Sequence, residues 1–334
     1  MQIPIKFSLP TNPLDMNYKT FIAKTKRRMK REIFSRLYMD LGDEKDFVLV
    51  LGSGRSGTTW LADVISQAFR YRLIFEPFWH LHIEVNGVKD YFHHRYISAE
   101  DAKYDKYIKY VISGNYRNVR VNMNYQYGPY NGRVIKDICA NLLMERILQI
   151  FPEAPIIFII RHPCAVVYSR LNKVNWSDPW GWHAHLFNYQ KVLIDKYFNN
   201  KQFFPRDELE DHAITYCYEN YLPLSIRNKN VYFVYYEKLV LNLESEIEKI
   251  LRYIEKKKNN KRCIKSLQEI KIKFLISTPE SHNLLIENQL EHLFKWRRDL
   301  DAKDILRIKR IVRQFKLDFV CEEIEKLVMD ECNL

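Results

Sequence analysis

The sequence predicts an α/β fold in which a P-loop-like parallel β-sheet is flanked by helices on both faces. Two continuous apolar runs, at 47–51 and 156–160, are typical of parallel strands that are buried on both faces. Each run is followed by a turn and then by a helical pattern, as in βα units. Further strands are expected near 72–76, 133–136 and 231–235.

A glycine-rich turn follows the first strand. Three glycines fall within residues 52–57, and a helical pattern begins directly afterwards. Glycines let a phosphate approach the backbone closely, and the start of a helix offers free N–H groups and a positive dipole end. Arg55, Ser56, Thr58 and Thr59 add a cation and three hydroxyl groups. The segment therefore predicts an anion-binding loop.

This loop matches two nucleotide-binding patterns in part. The glycine spacing of residues 52–57 fits the dinucleotide fingerprint, and Glu76 lies near the place of its ribose-binding acid. The spacing also fits a triphosphate P-loop, but Thr58 stands where that pattern has lysine, which argues against an ATPase or kinase. The cation Arg55 argues against a nicotinamide enzyme, because a dinucleotide fold relies on backbone groups in this loop.

A second βα segment predicts another anion site. The strand at 156–160 ends at Arg161, and His162-Pro163 starts a helix. Ser169 follows Arg161 by eight residues, roughly two helical turns. A strand-end arginine and a helix serine are groups that grip a phosphate together. Phosphate sites on two separate strands suit a nucleotide that is phosphorylated at two positions.

Together, the two segments resemble the sulfotransferases that use 3′-phosphoadenosine 5′-phosphosulfate (PAPS), and their motifs are closest to those of carbohydrate O-sulfotransferases. Residues 55–60 (RSGTTW) look like the 5′-phosphosulfate loop of that family. Arg161 and Ser169 look like its 3′-phosphate pair. Residues 231–239 are similar to the late strand of that family, which ends in Tyr-Glu-x-Leu. Residues 296–300 are similar to the C-terminal segment of carbohydrate sulfotransferases.

The resemblance implies which residues bind the sulfuryl donor PAPS. The expected set is Arg55, Ser56, Gly57, Thr58, Thr59, Trp60, Arg161, Ser169 and Tyr236. Trp60 matches the position whose indole stacks on adenine in cytosolic relatives, and Tyr236 matches a tyrosine that can approach the same base. No metal is expected, because the pairs His80-x-His82 and His183-x-His185 lack a third ligand at useful spacing.

Two further strand ends carry the expected catalytic residues. Glu76 belongs to a segment similar to the Glu-Pro-x-Trp segment of carbohydrate sulfotransferases, and Lys136 resembles the lysine that reaches the sulfuryl group. In cytosolic members a catalytic histidine follows that lysine by two, where this chain has Ile138. Glu76 is therefore the first candidate for the general base and His80 the second, while a glutamate that only organises its loop stays the alternative. Arg55 and Lys136 would stabilise the sulfuryl and leaving-group oxygens.

The predicted function is transfer of a sulfuryl group from PAPS to a hydroxyl, with a carbohydrate or glycolipid as the expected acceptor. Two other functions stay open at this point. A nicotinamide-dinucleotide oxidoreductase would use Glu76 to grip a ribose, and a non-catalytic nucleotide- or glycan-binding module would keep the phosphate motifs without turnover. The net charge of +12 suits an anionic nucleotide, and nucleic acid is not an expected partner because no nucleic-acid motif is found.

One sulfotransferase domain is expected over residues 41–334, after a basic N-terminal segment at 1–40. Residues 19–36 hold eight basic residues against one acidic, so a helix lying on an anionic membrane stays an alternative to a helix packed on the domain. Acceptor-side insertions are expected at about 77–130 and 172–211. The six cysteines form no C-x-x-C pair, and no long apolar run is visible, which together favour a cytoplasmic location.

Overall fold

A computed structural model gives the structure of the chain. It describes residues 25, 29, 39–85, 88–92, 94–118, 120–122, 129–172, 191–199, 203–226, 230–258, 291 and 293–332. Residues 19–36, apart from 25 and 29, and the pair His183-x-His185 lie outside the described residues. The cytoplasmic location and the membrane contact through residues 19–36 stay predictions. No helix of the described ranges has both the length and the apolar character that a membrane span needs.

Within the described residues, strands lie mostly in the first half of the chain and helices follow the last strand. The strands are β1 (Met39–Asp40), β2 (Phe47–Gly52), β3 (Arg72–Phe75), β4 (His82–Val85), β5 (Val88–Tyr91), β6 (Pro129–Tyr130), β7 (Arg133–Asp137), β8 (Ile156–Ile160) and β9 (Val231–Tyr235). The helices are α1 (Thr58–Phe69), α2 (Pro77–His80), α3 (Asp105–Ile112), α4 (Met144–Ile150), α5 (Pro163–Leu171), α6 (Lys191–Phe198), α7 (Glu208–Ile226), α8 (Tyr236–Leu241), α9 (Leu243–Lys257), α10 (Lys295–Asp299), α11 (Ala302–Gln314) and α12 (Asp318–Cys332). Short 3₁₀ helices cover Ala102–Tyr104 and Ala140–Leu143.

Five strands form one parallel sheet in the order β3-β7-β2-β8-β9. The register pairs Val48 of β2 with Val134 of β7, and Leu51 of β2 with Phe158 of β8. Every residue of β2, β7 and β8 is buried, as the continuous apolar runs predict. Each of the five strands lies within one residue of its predicted position, so the predicted parallel sheet is confirmed.

Helices cover both faces of this sheet, because side chains of successive strand residues point to opposite faces. On one face Val48 packs in a core with Ile65 of α1 and Ile250 of α9. On the other face Leu49 packs in a core with Ile214 of α7. The two cores hold the sheet between its helical layers. The loops that follow the strands lie at the carboxyl edge of the sheet.

The described part of residues 77–130 packs onto the same domain. It contains α2, the antiparallel pair of β4 and β5, and α3. Ile108 and Ile112 of α3 are fully buried in the core that also contains Leu49. This segment therefore shares the core of the domain. The domain boundaries themselves, and the assignment of residues 77–130 and 172–211 to the acceptor side, stay predictions.

Candidate functional site

The candidate residues lie in a row along the carboxyl edge of the parallel sheet. From one side of the sheet to the other, the strand ends carry Glu76 after β3, Lys136 in β7, the glycine loop after β2, Arg161 after β8 and Tyr236 after β9. Open parallel sheets bind their ligands at this edge. The strand order therefore places the glycine loop between the two predicted catalytic residues and the predicted 3′-phosphate residue.

The phosphate loop, residues 53–57, leads directly into α1. Gly57 is the N-cap of α1 and has φ 88°, in the left-handed region, and a Cβ on it would lie 2.7 Å from Tyr236 Cδ2. Only glycine meets both requirements. The helix has no side-chain cap and no acidic residue in its first turn, and that turn closes with Leu61 N donating to Gly57 O at 3.1 Å. Its positive end is therefore open to an anion.

Two buried asparagines hold the entrance of the phosphate loop. Asn141, in the 3₁₀ helix after β7, accepts a hydrogen bond from Gly52 N at 3.2 Å. Asn220 of α7 donates its side-chain amide to Ser53 Oγ at 2.6 Å. Both asparagine side chains are fully buried. Hydrogen bonds from two different elements preorganise the backbone that would face the phosphate.

Two arginines hold the middle of the loop through its carbonyl groups. Arg170 donates to Gly54 O at 3.2 Å and to Glu219 Oε2 at 2.7 Å, and both side chains of this ion pair are buried. Arg161 donates to Arg55 O at 2.7 Å. Glu219 balances the charge of Arg170, which acts here as a support of the loop backbone. Asn141, Asn220 and Glu219 belong to none of the sequence motifs. Asn141 and the adjacent pair Glu219–Asn220 are visible in the sequence only as polar positions within apolar stretches.

The two predicted phosphate motifs meet at Arg55. Arg55 Nε donates to Ser169 Oγ at 3.0 Å, and the guanidinium of Arg161 lies 4.6 Å from the ring centroid of Tyr236. Burial, followed by the positive charges of Arg161 and Arg170, lowers the pKa of Arg55 from its ordinary value. A cation whose pKa is lowered by neighbouring cations marks a region that an anion would stabilise.

Two buried polar atoms of this region fit a bound phosphate. Neither Ser56 Oγ nor Arg161 Nε has a hydrogen-bond partner within the part of the chain that the structure describes. Buried polar groups are normally paired, because an unsatisfied one costs about 1–3 kcal/mol. Phosphate oxygens accept hydrogen bonds, so the hydroxyl and the guanidinium N–H are donors that suit the phosphates of the expected nucleotide.

The remaining predicted donor-binding residues occupy the first turn of α1. Thr58 is buried, Thr59 is exposed and Trp60 is half-buried. Trp60 packs against the core that also receives the ring of Tyr236. The first turn therefore presents one hydroxyl toward the interior and one toward solvent, and it places an indole beside the helix start.

Glu76 and Lys136 are in contact, as neighbours on adjacent strand ends. Lys136 Nζ donates to the carboxylate of Glu76, and Glu76 N donates to Lys136 O at 2.7 Å. Lys136 is 3% exposed, Glu76 is 17% exposed, and Nζ lies 4.4 Å from the ring centroid of Phe75. Glu76 itself is the left-handed N-cap of α2 (φ 46°), directly after β3. Two of the predicted catalytic residues, Glu76 and Lys136, thus form an ion pair in which the lysine is buried and the carboxylate is partly exposed.

Two other positions bear on the identity of the base. Ile138, which occupies the histidine position of cytosolic sulfotransferases, is 4% exposed and packs in the core. His80 is the last residue of α2, and its side chain is not among those that the structure describes.

Next to Lys136, the carboxylate of Asp137 is fully buried and accepts hydrogen bonds from Phe78 N and Cys139 N. No sequence motif predicts a role for Asp137.

The segment at 296–300 packs against the helix that carries Ser169. The ring of Trp296 in α10 stacks on His162 with centroids 4.5 Å apart and an interplanar angle of 15°. Tyr168 donates its hydroxyl to Asp299 Oδ2 at 2.6 Å. Both ends of α5 are therefore fixed by α10.

Within the described residues, no group of three or more His, Cys, Asp or Glu side chains is placed to hold a metal ion.

Comparison with protein families identifies one family for this chain. A family model described as the sulfotransferase family matches residues 47–257, from the start of β2 to the end of α9. Among solved structures, the chain is similar to mouse sulfotransferase SULT7A1 complexed with PAP (14% identity, 90% of this chain and 93% of that chain, TM-score 0.43). It is also similar to the sulfotransferase domain from the curacin biosynthetic pathway (13% identity, 83% and 98%, TM-score 0.40). No curated protein matches the sequence. The matched range contains every candidate site residue.

Proposed function

Because the chain belongs to the sulfotransferase family, we propose that it moves a sulfuryl group from PAPS to a hydroxyl of a carbohydrate or glycolipid acceptor. The match over residues 47–257 confirms the family and the enzyme class that the sequence predicted. The donor site is supported by one observation above all: Arg55, from the first motif, contacts Ser169 and Arg161, from the second. Two phosphate motifs that meet in this way suit a nucleotide with phosphates at its 3′ and 5′ positions.

Each group of donor-binding residues has a distinct part in this proposal. The start of α1, with Ser56, would hold the 5′-phosphosulfate through N–H and O–H donors. Arg161 and Ser169 would hold the 3′-phosphate, since a guanidinium and a hydroxyl pair well with phosphate oxygens. Tyr236 and Trp60 would flank the adenine, and their packing against one core supports that pairing.

The ion pair of Glu76 and Lys136 supplies the proposed chemistry. Glu76 would take the proton of the acceptor hydroxyl while that oxygen forms a bond to sulfur and the bond from sulfur to the 5′-phosphate oxygen breaks. Lys136 and Arg55 would stabilise the charge on the sulfuryl and leaving oxygens, and adenosine 3′,5′-bisphosphate (PAP) would leave as the anion. A positioned general base contributes about 10²–10⁴ in rate.

The sheet order weighs against the nicotinamide alternative. In a dinucleotide fold the ribose-binding acid ends the strand beside the strand of the glycine loop. Here β7 separates β3, which leads to Glu76, from β2, which leads to the loop. In addition, the carboxylate of Glu76 is held by Lys136. These two features favour group transfer over dinucleotide binding.

The carbohydrate acceptor rests on the segment around Glu76. Trp79 lies one turn after Glu76, in the Glu-Pro-x-Trp order of carbohydrate sulfotransferases, and its half-buried ring lies 6.3 Å from the ring of His94. Flat aromatic faces pack well on the C–H faces of sugars. An indole one helical turn after the proposed base would help to orient a sugar hydroxyl toward Glu76.

A transfer assay with labelled PAPS tests this proposal. Label is expected to move to oligosaccharide or glycolipid hydroxyls, and transfer to simple phenols but to no carbohydrate would overturn the acceptor class. Glu76→Gln removes proton acceptance at constant size, so turnover should fall by about 10²–10⁴ while PAP affinity changes little. Glu322→Gln, the same change on an exposed glutamate of α12, serves as the control. Near-normal turnover in Glu76→Gln, with loss in His80→Ala, would assign the base to His80.

A further inference from the structure

Asp137 is a fully buried carboxylate between the donor and catalytic sides of the site. It is the last residue of β7 and follows Lys136 directly. Its Oδ2 accepts from Phe78 N at 2.8 Å, and its Oδ1 accepts from Cys139 N at 2.6 Å and Ala140 N at 3.1 Å. Each oxygen therefore serves a different backbone segment.

The bond to Phe78 replaces the cap that Glu76 would otherwise provide. Glu76 is the N-cap of α2, Pro77 is the first helical residue and has no N–H, and Phe78 is the second. An N-cap side chain normally accepts the N–H of the second or third helical residue, but Glu76 makes no such bond. Asp137 accepts it instead. The carboxylate of Glu76 is thereby left to face Lys136.

The second oxygen of Asp137 holds the support of the phosphate loop. Cys139 and Ala140 begin the 3₁₀ helix that continues into Asn141. Asn141 in turn accepts the hydrogen bond of Gly52 N at the loop entrance. A neutral acceptor would suffice to cap one turn, whereas two segments that converge on one point call for a group with two accepting oxygens.

We propose that Asp137 is a positioning residue for sulfuryl transfer, which caps α2 in place of Glu76 and so leaves the Glu76 carboxylate beside Lys136, where it can accept the acceptor proton. This inference rests on the proposed function, because it requires Glu76 to be the base. Asp137 acts through Glu76 and does not touch the reacting atoms. Burial, followed by the charge of Glu76, raises the pKa of Asp137 to about 7, while its backbone hydrogen bonds and Lys136 favour the ionised form.

Asp137→Asn separates the two tasks of this carboxylate. The amide oxygen can still accept from Cys139 N and Ala140 N, whereas the amide nitrogen would meet Phe78 N, donor against donor. The cap of α2 is then lost while the support of the phosphate loop is kept. We expect kcat to fall by about ten- to hundredfold and PAP affinity to change less than about threefold.

A double-mutant cycle with Glu76→Gln tests the mechanism of this effect. In the Glu76→Gln background, Asp137→Asn should lower turnover by less than about twofold, because no base remains to be positioned. An equal loss in both backgrounds would assign Asp137 a purely structural role, and an unchanged kcat in the single variant would also overturn the proposal. Near-normal turnover in Glu76→Gln alone would instead reject the base of the proposed function.

Two further variants complete the experiment. Asp301→Asn makes the same change at the N-cap of α11, where Asp301 accepts from Lys303 N, and should leave turnover unchanged. If Asp137→Asn does not fold, Asp137→Ser is measured in the same cycle. The serine hydroxyl keeps one hydrogen-bond acceptor, and the substitution removes the negative charge. The same dependence on Glu76 is expected, and equal losses in both backgrounds would again overturn the proposal.

Discussion

Arg55 Nε donates a hydrogen bond to Ser169 Oγ at 3.0 Å, which joins two motifs that lie 114 residues apart in the sequence. Arg161 adds a second link by donating to Arg55 O at 2.7 Å. The proposed 5′ and 3′ phosphate sites are therefore coupled through the side chain and the backbone of Arg55.

The first prediction concerns the contribution of the 3′-phosphate. Ser169→Ala removes a hydroxyl of the proposed 3′ site and the acceptor of Arg55 Nε. Hydrogen bonds to charged groups contribute about 1.5–3 kcal/mol, so affinity for PAP should fall by about ten- to hundredfold while affinity for 5′-AMP changes little. Arg161→Ala should likewise remove the preference for PAP. Isothermal titration with both nucleotides measures the difference.

A serine elsewhere in the chain provides the control for this prediction. Ser225 of α7 is exposed and donates to Tyr221 O in its own helix. Ser225→Ala should keep the full preference for PAP. If Ser169→Ala keeps it as well, the assignment of Ser169 to the 3′-phosphate is wrong.

The second prediction concerns the contact between Gly57 and Tyr236. In Gly57→Ala a methyl group would lie 2.7 Å from Tyr236 Cδ2, on a backbone with φ 88°. The left-handed conformation alone costs about 1–2 kcal/mol for a residue with a Cβ, and the contact adds to that cost. We expect a lower free energy of unfolding in urea and weaker PAP binding, because α1 begins at this residue.

Tyr236→Ala separates the two contributions. In that background Gly57→Ala no longer meets a ring, so only the backbone cost should remain. The free energy of unfolding should therefore fall less than in the wild-type background. Equal losses in the two backgrounds would show that the ring does not constrain Gly57 in solution.

Much of the fold could be predicted from the sequence because its strands are local features. The apolar runs that become β2 and β8 have no polar interruption, and burial on both faces follows from that pattern alone. The start of α1 is likewise a local feature, because Gly57 and Thr58 come directly before the apolar helical pattern. One detail differs: Glu76 was expected to end its strand, whereas it is the N-cap of α2, because Pro77 favours the first turn of a helix.

The partners that hold the site could not be predicted in the same way. Asp137 reaches Phe78 across 59 residues of sequence, and Asn141 reaches Gly52 across 89. A single sequence carries no sign of such pairs, since they depend on which strands become neighbours. Sequence motifs therefore identified the groups proposed to contact the ligands, while the groups that position them required the sheet order.

The third prediction concerns the pH dependence of stability at Glu325. This residue of α12 accepts from Lys309 Nζ at 2.9 Å and lies 3.5 Å from His162 Nε2. His162 accepts from Cys164 N at Nδ1, so its proton is on Nε2, facing Glu325. The hydrogen bond with His162, together with Lys309, lowers the pKa of Glu325 from 4.5 to about 2, although burial opposes the shift.

The sign of the effect follows from this depressed pKa. The ionised carboxylate is stabilised in the folded state, so its contribution is present above about pH 4.5 and is lost as the pH falls toward 2. Glu325→Gln should therefore lower the free energy of unfolding by about 1–2 kcal/mol at pH 7, after allowance for screening by solvent. The difference from the wild type should disappear by about pH 2. Urea unfolding between pH 2 and pH 7 measures it, with the exposed Glu322→Gln of the same helix as the control. A difference that stays constant over this range would mean that Glu325 contributes through packing and not through its charge.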